Sequence, residues 1–177
     1  MRHPIRRTLL LVAAFATITV SAHGADRMST VARGSFVVEM KPQGEPNATE
    51  GVTTGRMSLS KRFDGDLVAS GQGEMLTALT PVEGSAGYVA IERVTGTLDG
   101  RPGSFVFQHS GTMHQGTQQL SITVVPGSGT GALAGLEGRF TLSIVEGKHL
   151  YEFEYTLPTP PVSPDHAKMD SARKSEN

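Results

Sequence analysis

From Gly34 onward, apolar and polar side chains alternate along the chain. Phe36, Val38 and Met40 fall on one side, with Val37, Glu39 and Lys41 on the other. A period of two is the mark of a strand that buries one face, and Pro42, which cannot donate to a ladder, ends the run. Gln43 to Thr53 reads as a polar loop containing the sequon Asn47-Ala48-Thr49. Two further runs follow: Met57, Leu59, Lys61 and Phe63, then Leu67, Ala69, Gly71, Gly73 and Met75. Asp64-Gly65 lies between them and predicts a hairpin, because glycine accepts the positive φ of a primed turn.

The next pair of runs spans Tyr88 to Leu98 and Ser104 to Met113. If Asp99-Gly100-Arg101-Pro102 is the loop, Leu98 faces Gly103 and the cross-strand partners follow. Gly96 then meets Phe105, Val94 meets Phe107, Glu92 meets His109, Ala90 meets Gly111 and Tyr88 meets Met113. Phenylalanine covering glycine marks this face as the inner one, and it sets a carboxylate beside an imidazole among apolar residues. Gln119 to Val125 forms another strand. After a glycine-rich stretch come Arg139 to Val145, a turn at Glu146-Gly147-Lys148, and His149 to Leu157, where Tyr151, Phe153 and Tyr155 alternate with Glu152, Glu154 and Thr156. About eight short strands with no long helix predict an all-β fold, an eight-stranded antiparallel barrel whose interior is filled or holds one small ligand.

Composition agrees with tight turns: glycine occurs 21 times in 177 residues, while tryptophan and cysteine are absent. Without cysteine there is neither a disulfide nor a thiolate metal site. The flanks differ from the middle. Arg2, Arg6 and Arg7 precede an apolar run from Leu9 to Val20 and the small residues Ser21 to Ala25, the form of a secretory signal peptide over residues 1–24. A short linker at 25–33, a barrel at 34–157 and a disordered, proline-rich then charged tail at 158–177 complete the expected organisation. Removing the signal would move the formal charge from −1 to −4. The mature protein is expected in the periplasm or secreted, with no membrane segment and no nucleic-acid partner, since no basic patch interleaves with aromatics.

Pro126-Gly127-Ser128-Gly129-Thr130-Gly131, followed by Gly135 and Gly138, invites a phosphate-loop reading. The sequence lacks the closing Gly-Lys-Ser/Thr and the long helix that such loops need, and the run after Gly131 is too glycine-rich for more than one helical turn. A barrel-closing turn is the better account. No cofactor motif stands out. His109 and His114 are five residues apart, which puts them on opposite strand faces, so no metal site is expected. Glu92 with His109 is the sharpest candidate for catalysis, as general base or anchoring ion pair. Tyr88, Phe105, Phe107, Tyr151 and Phe153 are the candidate ligand-binding aromatics. Asp64, Asp66, Glu74 and Glu92 could supply the paired carboxylates of an acid hydrolase, although the Asp-Thr/Ser-Gly loop of aspartic peptidases is missing.

The series Lys61 to Leu67, Gly73-Glu74-Met75, Tyr88 to Glu92, Gly103 to His109 and Val125 to Gly131 resembles a bacterial domain-of-unknown-function family, numbered thirty-two twenty-four, over roughly Gly34 to Leu157. More distantly, Lys61 to Leu67, Gly127 to Leu142 and Tyr151 to Tyr155 are similar to plant allene oxide cyclase, which implies a calycin-like barrel with a central cavity. The cyclase's catalytic glutamate would fall at Glu39, but its asparagines would fall at Lys41 and Ser60, and no tyrosine sits near Pro102. Epoxide cyclisation is therefore not expected. The expected role is an exported barrel binding a small apolar or amphipathic molecule. Two alternatives stay open: an isomerase, lyase or acid hydrolase built on these residues, and a packed barrel acting as a homo-oligomer through its contacts.

Overall fold

The computed structural model describes residues 28–158. The expected signal peptide, and the expected tail after Pro158, lie outside the described residues. The described chain is all-β, with nine strands: β1 (Thr30–Pro42), β2 (Asn47–Thr49), β3 (Val52–Gly65), β4 (Leu67–Leu79), β5 (Ala86–Leu98), β6 (Arg101–His114), β7 (Thr117–Val124), β8 (Glu137–Val145) and β9 (Lys148–Thr156). Eight of them close into an antiparallel barrel in the order β1-β9-β8-β7-β6-β5-β4-β3, with β3 returning to β1, while β2 is a short flap on β3. Closure depends on β1, whose Gly34–Phe36 segment pairs with β3 on one edge and β9 on the other. The barrel is laced most fully at one end: β1 after Phe36 pairs with β3 alone, and β7 and β8 share only two residue pairs.

Two expected boundaries move. The linker expected at 25–33 already contains strand, because Thr30 to Arg33 pair with Tyr155 to Glu152 of β9. The polar loop at Gln43 to Thr53 contains the hairpin of β2 with the start of β3, where Asn47 pairs with Thr54.

The turns explain the registers. Glu50-Gly51, Asp99-Gly100, Gln115-Gly116 and Glu146-Gly147 each place both residues at positive φ, for instance 47° and 75° at Asp99-Gly100. That is the two-residue primed turn whose twist matches the strands it joins. The four-residue loop expected at Asp99 to Pro102 is therefore a two-residue turn. Leu98 pairs with Arg101, Glu92 with Phe107, and Ala90 with His109. A shift of two residues keeps the parity of the pleat, so Glu92 and His109 still share the inner face, as diagonal rather than direct neighbours. Asp64-Gly65, in contrast, is no tight turn: both residues stay paired with Ser35 and Gly34 of β1, and Asp66 makes the bend, accepting a hydrogen bond from Arg33 N at 2.7 Å.

Side chains fill one half of the interior. Phe63, Phe105, Phe107, Phe140 and Phe153 pack with Leu67, Val94 and Leu98, and neighbouring rings lie edge-on or stacked at centroid distances such as 4.9 Å for Phe105–Phe107 and 5.7 Å for Phe105–Phe153. The glycine stretch between β7 and β8 closes this end. Its only regular element is a single 3-10 turn, Gly131–Leu133, and Leu133 and Leu136 drop into the barrel base at 1% and 0% exposure. The adjoining β7–β8 ladder is short, only Ile122 with Phe140 and Thr123 with Arg139, and the loop compensates along β6. Val106 N donates to Ser128 Oγ at 3.0 Å, Ser104 N donates to Thr130 Oγ1 at 3.0 Å, and Thr130 N donates to the Ser104 carbonyl at 2.8 Å.

Candidate functional site

The other half of the barrel is hollow. A cavity of about 520 Å³ opens at the end where β1, β4, β6 and β8 finish. Leu59, Ala90 and Ile122 form its deep walls, Met57, Met75 and Leu142 its middle, and Leu79 and Ile144 stand nearer the mouth. Its polar side chains are few, and two of them, Lys61 and His109, sit at the floor, against the packed half.

The floor is built around Glu92, which is fully buried. Its Oε2 accepts a hydrogen bond from Lys61 Nζ at 2.8 Å and lies 3.0 Å from His109 Nε2. Glu92 stands on β5 and Lys61 on β3, so the carboxylate must cross β4. It does so over glycine: a Cβ at Gly71 would lie 2.0 Å from Glu92 Oε1, and Gly73 is Glu92's direct partner. The bare inner face of β4 is thus a slot for this side chain. Oε1, lying in that slot, is buried and has no hydrogen-bond partner among the described residues.

Burial pushes the Glu92 carboxyl up. The hydrogen bond with His109, together with the charge and hydrogen bond of Lys61, outweighs burial and holds the group below its ordinary value. An ionised carboxylate only accepts hydrogen bonds, so Nε2 of His109 must carry a proton. That leaves Nδ1, which has no partner among the described residues, as an acceptor whenever the ring is neutral. Lys61 also lies over the Phe36 and Phe63 rings, 5.1 Å and 5.7 Å from their centroids, which stabilises a cation held away from bulk water.

The structure brings Glu92 and His109 together. Of the aromatics expected to bind a ligand, Tyr88 lines the cavity, its ring covering Gly111, and burial pushes its hydroxyl up. Phe105, Phe107, Tyr151 and Phe153 do not line it; they belong to the packed half. The reason is visible at Tyr151, whose hydroxyl is engaged by Leu67 N at 2.9 Å and donates to the Asp64 carbonyl at 3.3 Å, tying the side chain to the β3–β4 bend. The carboxylate pair needed by an acid hydrolase is not assembled. Asp64, Asp66 and Glu74 are exposed, and Glu74 pairs with Arg56 on the outer face, 3.7 Å away. Glu39 also faces outward, beside Lys41 at 2.9 Å, so a cyclase-like role for it fails. No group of three or more potential metal ligands occurs among the described residues.

Sequence reasoning missed Lys61, although its signal was present. A lysine in the apolar row Met57-Leu59-Lys61-Phe63 is out of place unless a buried partner meets it, and Gly71 and Gly73 mark where that partner crosses.

Comparison with known proteins now bears on the whole barrel. A family model described as "Protein of unknown function (DUF3224)" matches residues 32–155. The chain belongs to the DUF3224 family. A crystal structure of a DUF3224 protein of unknown function from Shewanella oneidensis MR-1 is similar at 49% identity and a TM-score of 0.71, covering 75% of this chain and 100% of that one. No curated protein matches. The described β-strands of this DUF3224 chain fall almost entirely within the matched residues, so the match covers the barrel together with its cavity and floor.

Proposed function

We propose that this DUF3224 protein is an exported binding module that holds one small, mainly apolar molecule in its barrel. One observation carries the reading: an open-ended cavity of about 520 Å³ with apolar walls ends on a buried, ion-paired floor. Small-molecule sites have this form, a few convergent polar groups in an apolar concavity of about 300–1,000 Å³. An empty apolar barrel gains nothing from staying hollow, since filling it with side chains would stabilise the fold.

The test is native mass spectrometry of protein purified from its own host, with displacement of a fluorescent apolar dye alongside it. A co-purifying small molecule, and dye binding lost in Leu120→Trp, whose indole would occupy the cavity, are the expected results. A wild-type protein that carries nothing and binds no dye would sink the reading.

A second reading rests on the Glu92–His109 hydrogen bond, which orients an imidazole toward the cavity as a base would need to be oriented in an isomerase or lyase. Here turnover must vanish in a folded Glu92→Gln variant, and binding without turnover by wild type returns the site to a purely binding role.

A further inference from the structure

The floor has a chemistry of its own that selects the occupant's head group. Building on the binding reading, we propose that the occupant is a medium-chain carboxylic acid, docked head-first on Lys61 and His109 and taken up together with one proton.

Charge comes first. With a neutral His109 ring, Lys61 and Glu92 leave the floor without net charge, since the cation and the anion are 2.8 Å apart. A bare carboxylate entering there would bury one unbalanced negative charge, and an ammonium one positive charge, both costly away from water. A carboxylate accompanied by a proton adds none. Free acid is ionised at neutral pH, so the proton must come from solvent on binding.

Hydrogen bonding points the same way. Lys61 spends one N–H on Glu92 and offers others; His109, with Nε2 donating to Glu92, offers an acceptor at Nδ1. The matching head has one acceptor and one donor close together. A carboxyl group has both, on two oxygens, so it can reach the two side chains that flank Glu92 Oε2. The acid's proton lies between its oxygen and Nδ1, and the total charge is zero whichever atom holds it. The tail has room: from Lys61 towards the mouth, β3 presents Leu59 and then Met57 to the cavity, a climb of about 13 Å at about 3.3 Å per residue, close to the length of a ten-carbon chain.

Other titratable groups are few. Glu92 and Tyr88 come from β5, Lys61 from β3, His109 from β6 and His149 from β9; β1, β4, β7 and β8 face the cavity with uncharged side chains. His149 is not among the groups bonded to Glu92; its ring packs 4.9 Å from Phe36.

The experiment is calorimetric titration with decanoate and with methyl decanoate, in buffers of different ionisation heat, between about pH 6 and about pH 8. Wild type should take up about one proton per decanoate, with affinity falling toward ten-fold per pH unit at the alkaline end. The ester should bind at least ten-fold more weakly and exchange no proton. Glu92→Gln is the decisive variant. It removes the negative charge and leaves Lys61 to balance the carboxylate alone, so decanoate should bind with about zero protons and an affinity that no longer falls with pH. His149→Gln should keep the wild-type proton count. Should Glu92→Gln fail to fold, Lys61→Met takes its place, losing decanoate while keeping the ester.

Equal binding of acid and ester with no proton exchanged overturns the head-group assignment and leaves the binding module standing. An unchanged proton count in Glu92→Gln overturns it too. If acid, ester and the apolar dye all fail to bind, the binding module falls with it.

Discussion

At the scale of single residues, Glu92 decides both fold and site. Its carboxyl is held below the ordinary value despite complete burial. The folded-state pKa therefore lies below the unfolded one, about 4.3, and the resulting stability is present above that value and lost as pH falls through the folded pKa. Wild type should accordingly lose stability on acidification faster than Glu92→Gln, as read by urea midpoints between about pH 6 and about pH 2. Parallel curves would show that the ion pair contributes no acid sensitivity. Removing one partner alone is the harsher change. Lys61→Met leaves a buried carboxylate with only His109 beside it and should cost about 3–5 kcal/mol, whereas adding Glu92→Met should restore most of that loss. The cluster was half legible in the sequence. The alternation placed Glu92 and His109 on one inner face correctly, because a register error of two residues preserves parity. Lys61 went unread because its contact spans two strand spacings, which becomes visible only when Gly71 is known to lie between them.

Among the elements, the strands were legible from their alternation but the turns only in part: the loop expected at Asp99 to Pro102 is a two-residue turn at Asp99-Gly100, and Asp64-Gly65 stays paired with β1 instead of turning. Asp99-Gly100 carries a further interaction that alternation does not encode. The Tyr155 hydroxyl donates to Asp99, while Arg101 approaches at 3.5 Å, so the end of β9 is tied across the barrel base to the β5–β6 turn. Burial first, and the Asp99 contact second, push the Tyr155 hydroxyl up to about 12. Gly100→Ala forces a side chain into φ of 75° and should lower stability by about 1 kcal/mol or more, measured by chemical denaturation. The β7–β8 loop was legible as a closing turn but not as a plug. Its two buried leucines sit among glycines, where no period exists to announce them. Leu136→Ala should cost about 2–5 kcal/mol, and Thr130→Val about 1–2 kcal/mol through the orphaned Ser104 N–H. If Leu136→Ala is neutral in denaturant melts, the loop is a lid rather than part of the core.

The whole molecule divides along the barrel axis into a half that makes stability and a half that makes space. This division is what the aromatic residues obscured in the sequence. Phe105, Phe107, Tyr151 and Phe153 alternate inward just as Tyr88 does, yet only Tyr88 stands above the floor, because height along the axis depends on strand stagger rather than on periodicity. A hollow half costs the packing that methionine, leucine and isoleucine side chains would make with filling atoms, and the proposed occupant would restore it. Occupancy should therefore raise the melting temperature by linkage, about 2.7 kcal/mol of added stability when free ligand reaches about 100 times its Kd. The gain must come from the hollow half alone. Leu120→Trp, which places a ring where the tail would lie, should melt higher than wild type without ligand and show no further rise with decanoate. Leu136→Ala, at the opposite end, should melt lower yet keep the full ligand-induced rise. If Leu136→Ala abolishes the rise while Leu120→Trp preserves it, the working space is at the plugged end and the division of the barrel proposed here is reversed.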